Sequence, residues 1–234
     1  PLRRQRQMCI RDRKNIMFAT GAGMYSALPI LTSAEFKANS KSPASKGNIK
    51  LAMILPYNQP SQWKLAHQIG INHAIVSVNQ ELTKISPDKY LEALMKIKAD
   101  YETAGITIAG VESHPVSAEL IKLGLPGRDE EIANYCVAIE ALGKVGIPMC
   151  CYNFMAGLGW YRTNIEYPER GGALTSEFDN QVAKKQGLTK WGEISEEKIW
   201  DNITYFLKRI IPVAEKSNVK MALHPDDPPI SPLR

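Results

Sequence analysis

His224 is the residue whose surroundings offer the most chemistry. It ends a short apolar run and is followed by Pro225-Asp226-Asp227-Pro228-Pro229, where prolines stiffen a loop that presents two carboxylates beside an imidazole. An imidazole with acids nearby can bind a metal or transfer protons. A structural histidine that closes its strand and hydrogen-bonds the loop is an equally good interpretation.

Three further polar side chains could bind a substrate. Glu112 ends another apolar run and is expected on the same rim as His224, although a surface salt bridge is an equal alternative. Asn153 lies near the end of a third run, and its amide can donate to and accept from a polyol hydroxyl. Arg162 lies in Trp160-Tyr161-Arg162-Thr163 and is suited to a carboxylate, unless it simply stacks on Trp160.

The remaining histidines and cysteines of the body are interpreted as structural. His73 begins its run, which is the wrong end for a barrel site, and His67 lies in a helical segment. Cys150 and Cys151 are adjacent on a strand and point in opposite directions, so buried small side chains are favoured over a disulfide or a metal pair. The sequence contains no glycine-rich phosphate loop, dinucleotide-binding fingerprint or GxSxG elbow.

Short apolar runs alternate with longer amphipathic segments, which predicts repeated strand-helix units and a parallel sheet. The predicted strands are Ile49–Leu55, His73–Val78, Ile106–Glu112, Ile147–Phe154 and Val219–His224. The predicted helices are Ser61–Ile69, Pro87–Ala104, Asp129–Val145 and Ser195–Ser217.

Residues Met155–Ile194 are predicted to form a long polar loop after the fourth strand. That end of a strand is where α/β barrels build their active sites. We therefore expect an α/β fold, a (β/α)8 TIM barrel that is incomplete, with about five of its eight strand-helix units present.

The charge of the chain is concentrated at its beginning. The 234 residues carry 29 Lys plus Arg and 24 Asp plus Glu, a net charge of +5. Residues 1–34 contain six of these basic residues and only one acid, so the remainder is neutral and a nucleic-acid partner is excluded. A content of 44% hydrophobic and 23% charged residues is that of a globular protein, and no run after residue 34 is long enough to span a membrane.

Residues 1–34 have the order of a secretory leader: a basic region, an apolar region and a small-x-small site at Thr32-Ser33-Ala34. An amphipathic first helix is the alternative. Met8–Arg13 resembles a translated sequencing adapter, so residues 1–13 are interpreted as an assembly scar and 14–34 as the signal-like segment. Residues 35–48 predict a flexible spacer, and the barrel domain is expected over 49–234, exported to the periplasm. A cytoplasmic protein is expected if the leader does not function.

From about Ile49 onward the chain resembles the mannonate dehydratase family. Four segments carry the likeness, and the final HPDDPP is the most specific of them. The segments are Val111-Glu112-Ser113-His114-Pro115-Val116, Cys151-Tyr152-Asn153-Phe154-Met155, Trp160-Tyr161-Arg162-Thr163 and Met221-Ala222-Leu223-His224-Pro225-Asp226-Asp227-Pro228-Pro229.

The resemblance implies a xylose-isomerase-like barrel that converts D-mannonate into 2-keto-3-deoxy-D-gluconate with a divalent metal, Mn²⁺ or Fe²⁺. It implies that His224 binds the metal, that Asn153 and Arg162 orient the polyol and its carboxylate, and that Glu112 and His114 line the rim. The other metal ligands and the acid and base are expected outside this chain, so the 234 residues alone are expected to be inactive.

The chain also departs from the family pattern. Met53–Tyr57 replaces an arginine-tryptophan-tyrosine-glycine strand, Gly159 replaces an acid, and His114 replaces an apolar residue. These differences leave three hypotheses: a dehydratase of a small-molecule sugar acid, a sugar isomerase or epimerase of the same barrel class, and a non-catalytic exported sugar-acid binder. A homo-oligomer is an open possibility for the full-length protein.

Overall fold

The computed structural model describes residues 49–228, which belong to one compact unit. The predicted leader and spacer, residues 1–48, lie outside the described residues. Across 49–228, no helix combines the length and the apolar content that crossing a bilayer requires.

The main sheet consists of five parallel strands in their order along the chain, as predicted. Its strands are β1 (Met53–Ile54), β2 (His73–Val76), β3 (Thr107–Val111), β4 (Met149–Tyr152) and β7 (Lys220–Leu223). Within residues 49–228, β1 and β7 pair on one side only, so the sheet is open. This sequential parallel order is the one in which an α/β barrel is built.

The predicted first strand, Ile49–Leu55, is much shorter in the structure. Only Met53–Ile54 pairs with β2, and Ile49 and Leu51 are 87% and 70% exposed. An apolar run without a neighbour on either side gains nothing from an extended conformation, so the strand forms only where β2 offers hydrogen bonds.

The predicted long helices are confirmed to within one residue at each end, except that the helix predicted from Pro87 begins three residues later. The helices are α1 (Pro60–Gln68), α2 (Asn79–Leu82), α3 (Tyr90–Thr103), α4 (Glu119–Leu123), α5 (Arg128–Lys144), α6 (Asn180–Lys184) and α7 (Glu196–Lys216). The segment Pro87–Lys89 forms a 3-10 turn that leads into α3. Three helices were not predicted, because four or five residues are too few to show a 3.6-residue period.

The core lies between one face of the sheet and the long helices. Phe206 of α7 is fully buried, and its ring meets those of Tyr135 and Tyr152 edge-on at centroid distances of 5.1 and 5.9 Å. Burying one such aromatic side chain contributes about 2–3 kcal/mol. Because Tyr135 lies on α5 and Tyr152 on β4, this contact fixes the height of α7 against the sheet.

The predicted long polar loop over Met155–Ile194 contains two paired strands that were not predicted. Strands β5 (Asn164–Pro168) and β6 (Leu174–Glu177) form an antiparallel hairpin. Ile165 and Tyr167 alternate with Asn164 and Glu166, but the strand is only five residues long and every position of it is exposed.

Candidate active site

Four polar side chains share one face of the sheet at its carboxyl end. In two paired parallel strands, residues directly opposite each other point to the same side of the sheet. Val111 of β3 lies opposite Cys150 of β4, and Cys151 of β4 lies opposite Ala222 of β7. Cys150 is fully buried under the helices, so its neighbour Cys151 points to the opposite face. By the same alternation Glu112, Asn153 and His224 follow Cys151 onto that face.

The backbone continues this register beyond the last residue of β7. The amide of His224 donates to the carbonyl of Tyr152 at 2.7 Å, which keeps His224 beside Asn153. The predicted rim of Glu112, Asn153 and His224 is therefore assembled by three adjacent strands.

The carboxylate of Glu112 lies near enough to the thiol of Cys151 to affect its pKa. Burial raises the pKa of Cys151 to about 11, and the Glu112 carboxylate adds to the increase. The thiol therefore stays protonated at neutral pH and can donate to Glu112. Burial likewise raises the pKa of Cys150 to about 12, and both cysteines are free, as predicted.

His114 does not line the rim as predicted. Its side chain is 6% exposed, and its Nδ1 lies 3.2 Å from the hydroxyl of Tyr135. Ser113 has φ of +68°, and this turn carries the chain behind the end of β3 after Glu112. Burial lowers the pKa of His114 to about 3, so the ring is neutral at physiological pH.

Arg162 is already paired within the protein. Its Nη2 donates to Oδ2 of Asp227 at 2.6 Å, its Nη1 donates to the carbonyl of Tyr161, and its guanidinium lies 4.4 Å from the ring of Trp160. Stacking on Trp160, the alternative interpretation, is therefore present. Asp227 and the Tyr161 carbonyl each take one of the five N–H donors of the guanidinium, so its predicted role as a ligand for a substrate carboxylate stays a prediction for the remaining donors. No local pattern in the sequence predicts that Arg162 and Asp227 form this ion pair.

His224 presents one free ring nitrogen. The carbonyl of Pro225 can only accept, so the Nδ1 that contacts it carries the proton and Nε2 keeps its lone pair. This is the arrangement by which a backbone carbonyl prepares a histidine to bind a metal. Within residues 49–228, however, no three His, Cys, Asp or Glu side chains lie close enough together to hold a metal ion. The described residues therefore provide one metal ligand, His224, but not a complete metal site.

The structural interpretation of His67 is confirmed. Its Nδ1 lies 3.0 Å from Oδ1 of Asn72, and its Nε2 contacts the carbonyl of Ala104, just before β3 begins. These contacts place the ring at the amino end of the sheet, away from the rim.

Comparisons with known proteins agree with this geometry. The D-mannonate dehydratase family (UxuA) matches the chain over residues 67–188 and 180–233. A mannonate dehydratase of Streptococcus agalactiae serotype Ia is 42% identical over 163 residues, which cover 60% of this chain and 47% of that protein. A mannonate dehydratase of Thermotoga petrophila is 37% identical over 172 residues, covering 60% of this chain and 48% of that protein.

A solved structure shows the same fold. The crystal structure of mannonate dehydratase from Streptococcus suis serotype 2 superimposes with a TM-score of 0.67 at 29% identity, covering 80% of this chain and 57% of that chain. The chain spans about half the length of the curated relatives that it matches.

Proposed function

The chain belongs to the D-mannonate dehydratase family, and from this membership we propose that the protein removes water from D-mannonate to give 2-keto-3-deoxy-D-gluconate. The observation that carries the proposal is the family match over residues 67–233, which includes the rim of Glu112, Asn153 and His224. The small-molecule partner is thus a sugar acid.

The reaction sets clear demands on a site. A proton must leave C2, next to the carboxylate, and hydroxide must leave C3, so that an enol forms and then becomes the 2-keto acid. The C2 proton is weakly acidic, and the departing hydroxide needs a proton. The substrate must therefore be held so that its C2 and C3 groups face the proton-transferring groups.

In this proposal Asn153 and Glu112 bind substrate hydroxyl groups. Asn153 is partly exposed at the end of β4, and its Oδ1 accepts a hydrogen bond from the amide of Met155 at 3.4 Å. That bond leaves the Nδ2 hydrogens available for a substrate oxygen. Glu112 accepts from a hydroxyl beside it. Arg162 acts indirectly, because it holds Asp227 and with it the loop that follows His224.

Members of the family generally use a divalent metal. His224 is suited to supply one ligand through Nε2, since its Nδ1 is occupied by Pro225. The described residues do not complete a metal site, so a manganese or iron ion would need ligands from outside residues 49–228.

Replacing Asn153 by alanine tests this assignment. We expect Asn153→Ala to raise the KM for D-mannonate about tenfold or more, the loss that one hydrogen bond to substrate produces. Lys64→Ala, at an exposed position of α1, is the matched control and should leave KM unchanged. An Asn153→Ala protein with wild-type kinetics would remove Asn153 from the site.

We also propose that the protein is exported, on the order of basic, apolar and small residues in its first 34 positions. Fractionation of the producing cells tests this. Recovery in the periplasm supports export, and recovery in the cytoplasm contradicts it.

A further inference from the structure

The turn that follows Glu112 has a strained backbone. Ser113 has φ of +68°, a left-handed conformation that a residue with a Cβ rarely adopts. Such a residue persists only where its surroundings fix it, and residues of this kind cluster at functional sites. Ser113 directly follows Glu112, which lies on the rim of the candidate site. The contacts that hold this turn therefore bear on the position of Glu112.

The neighbouring strand fixes the backbone of Glu112 on one side only. Its amide donates to the carbonyl of Val76 at 2.8 Å, which continues the pairing of β2 with β3. The chain then turns at Ser113 and runs into Pro115, whose ring nitrogen has no hydrogen to donate. The direction of the chain beyond Glu112 therefore depends on what holds the turn.

Asn79 holds the far end of the turn. Its Nδ2 donates to the backbone carbonyl of His114 at 3.2 Å. Asn79 is the first residue of α2, and its own carbonyl accepts from the amide of Thr83 at 3.0 Å and from the hydroxyl of Thr83 at 2.7 Å. Asn79 is thus anchored by its helix, and its side chain connects the segment after β2 to the segment after β3.

Two side chains of the core support the same turn. The hydroxyl of Tyr135 lies 3.2 Å from Nδ1 of His114, and the thiol of Cys150 donates to the carbonyl of Ser113 at 3.9 Å. Tyr135 and Cys150 are fully buried, whereas Asn79 is partly exposed. The contact from Asn79 is therefore the one that can be removed without opening the core.

We propose that Asn79 is a positioning residue for Glu112. By holding the carbonyl of His114 it keeps Ser113 left-handed, and this turn keeps the carboxylate of Glu112 on the open face of the sheet. The site then presents an acceptor at a fixed point and selects a ligand with a hydroxyl group there. This inference rests on the proposed function for its ligand, a sugar acid, but not for the hydrogen bond or the turn.

Amide hydrogen exchange tests the contact without any ligand. In Asn79→Ala the amide of Glu112 should exchange about tenfold faster than in wild type, because the end of β3 loses one of its supports. The amide of Thr107, which donates to the carbonyl of Asn72 at the other end of the same two strands, should exchange as before. Gln80→Ala, at the next and exposed position of α2, is the matched control. Unchanged exchange at Glu112, or equal acceleration at Thr107, would overturn the proposal.

Kinetics separate positioning from a purely structural role. Asn79→Ala should raise the KM for D-mannonate about fivefold with kcat within a few-fold of wild type, because binding that is equal in ground and transition states appears in KM. Asn79→Gln, which keeps an N–H donor, should recover part of that loss. In a Glu112→Ala background, Asn79→Ala should leave KM nearly unaltered, because the carboxylate that Asn79 positions is gone.

Equal KM values for Asn79→Ala and wild type, or the same rise in KM with and without the Glu112 carboxylate, would contradict the inference. If Asn79→Ala does not fold, the wild-type protein still decides it: the side-chain amide hydrogens of Asn79 should exchange more slowly than those of Gln80, and equal rates would contradict the contact. A protein in which Asn79→Ala accelerates exchange at Glu112, but which does not act on mannonate, would contradict the proposed function and support the positioning of Glu112.

Discussion

Arg162 and Asp227 are 65 positions apart in the chain and are joined by an ion pair of 2.6 Å between Nη2 and Oδ2. The pair connects the segment that follows β4 to the loop that follows β7. The backbone amide of Asp227 also donates to Sδ of Met155 at 3.5 Å. The loop that carries His224 is therefore held in place by the same segment that carries Asn153.

Removing this ion pair should weaken the protein. The side chain of Arg162 is 15% exposed and that of Asp227 is 36% exposed, so solvent screens the pair in part. We expect Arg162→Gln to lower the free energy of unfolding by about 1–2 kcal/mol in urea titration. Arg170→Gln, an exposed arginine of the hairpin turn, should change it by less than about 0.5 kcal/mol. Equal midpoints for the two variants would contradict the role of the pair.

The Arg162–Asp227 pair should also make the stability of the protein depend on pH. The hydrogen bond from Arg162 lowers the pKa of Asp227 below its ordinary value. Because the pKa of Asp227 is lower in the folded protein than in the unfolded chain, its carboxylate stabilises the fold at pH values above its unfolded pKa of about 3.9. This stabilisation is lost as the pH falls through the pKa of Asp227 in the folded protein. Urea midpoints from pH 7 to pH 3 should show wild type ahead of Asp227→Asn at neutral pH, with the difference shrinking below about pH 4. A difference that does not change with pH would show that the carboxylate charge is not involved.

Ser113 should tolerate glycine better than valine. Its φ of +68° is strained for a residue with a Cβ, and most of all for a β-branched one. Ser113→Gly should stay within about 1 kcal/mol of wild type, and Ser113→Val should lose about 1–3 kcal/mol. Ser77→Val, at an exposed position just after β2, is the control and should be nearly neutral. Thermal unfolding measures all three, and a valine variant as stable as the glycine one would contradict the strained turn.

Gly143 should resist replacement by alanine although it lies in a helix. Alanine gains about 1 kcal/mol over glycine in a helix interior. At Gly143, however, a Cβ would overlap the backbone carbonyl oxygen of Ser217 at the end of α7. Gly143→Ala should therefore lose about 1–3 kcal/mol in urea titration. Ala133→Gly, at an exposed position of the same helix, should lose about 1 kcal/mol by propensity alone. A stabilised Gly143→Ala protein would show that α5 and α7 are not in close contact there.

The order of strands and the long helices could be predicted because they leave periodic patterns in the sequence. Tyr90, Leu94, Ile97 and Tyr101 recur at helical spacing, and all four are buried in α3. The apolar run before His224 predicted its place at the end of a strand, and alternation predicted the face on which it lies. The hairpin was not predicted, since the alternation in β5 covers only five residues and all of them are exposed.

The contacts of the candidate site were harder to predict than its strands. The burial of His114 depends on the positive φ of Ser113, and a serine in the sequence does not predict a positive φ. The partner of Arg162 lies in a loop 65 positions away, and no local pattern connects the two. Both contacts are tertiary, so neither could be read from the local sequence around His114 or Arg162.

Product analysis tests the central claim most directly. The protein, purified as its own cells produce it with the metal that it carries, is incubated with D-mannonate and followed by proton and carbon NMR. Loss of water from C2 and C3 predicts the NMR signals of a ketone carbon at C2 and of a new methylene at C3. Both signals should increase as the mannonate signals decrease. Unchanged mannonate would contradict catalysis and favour a binding protein. A product that is an epimer or a keto sugar acid without a methylene group would show that the reaction is an isomerisation and not a dehydration.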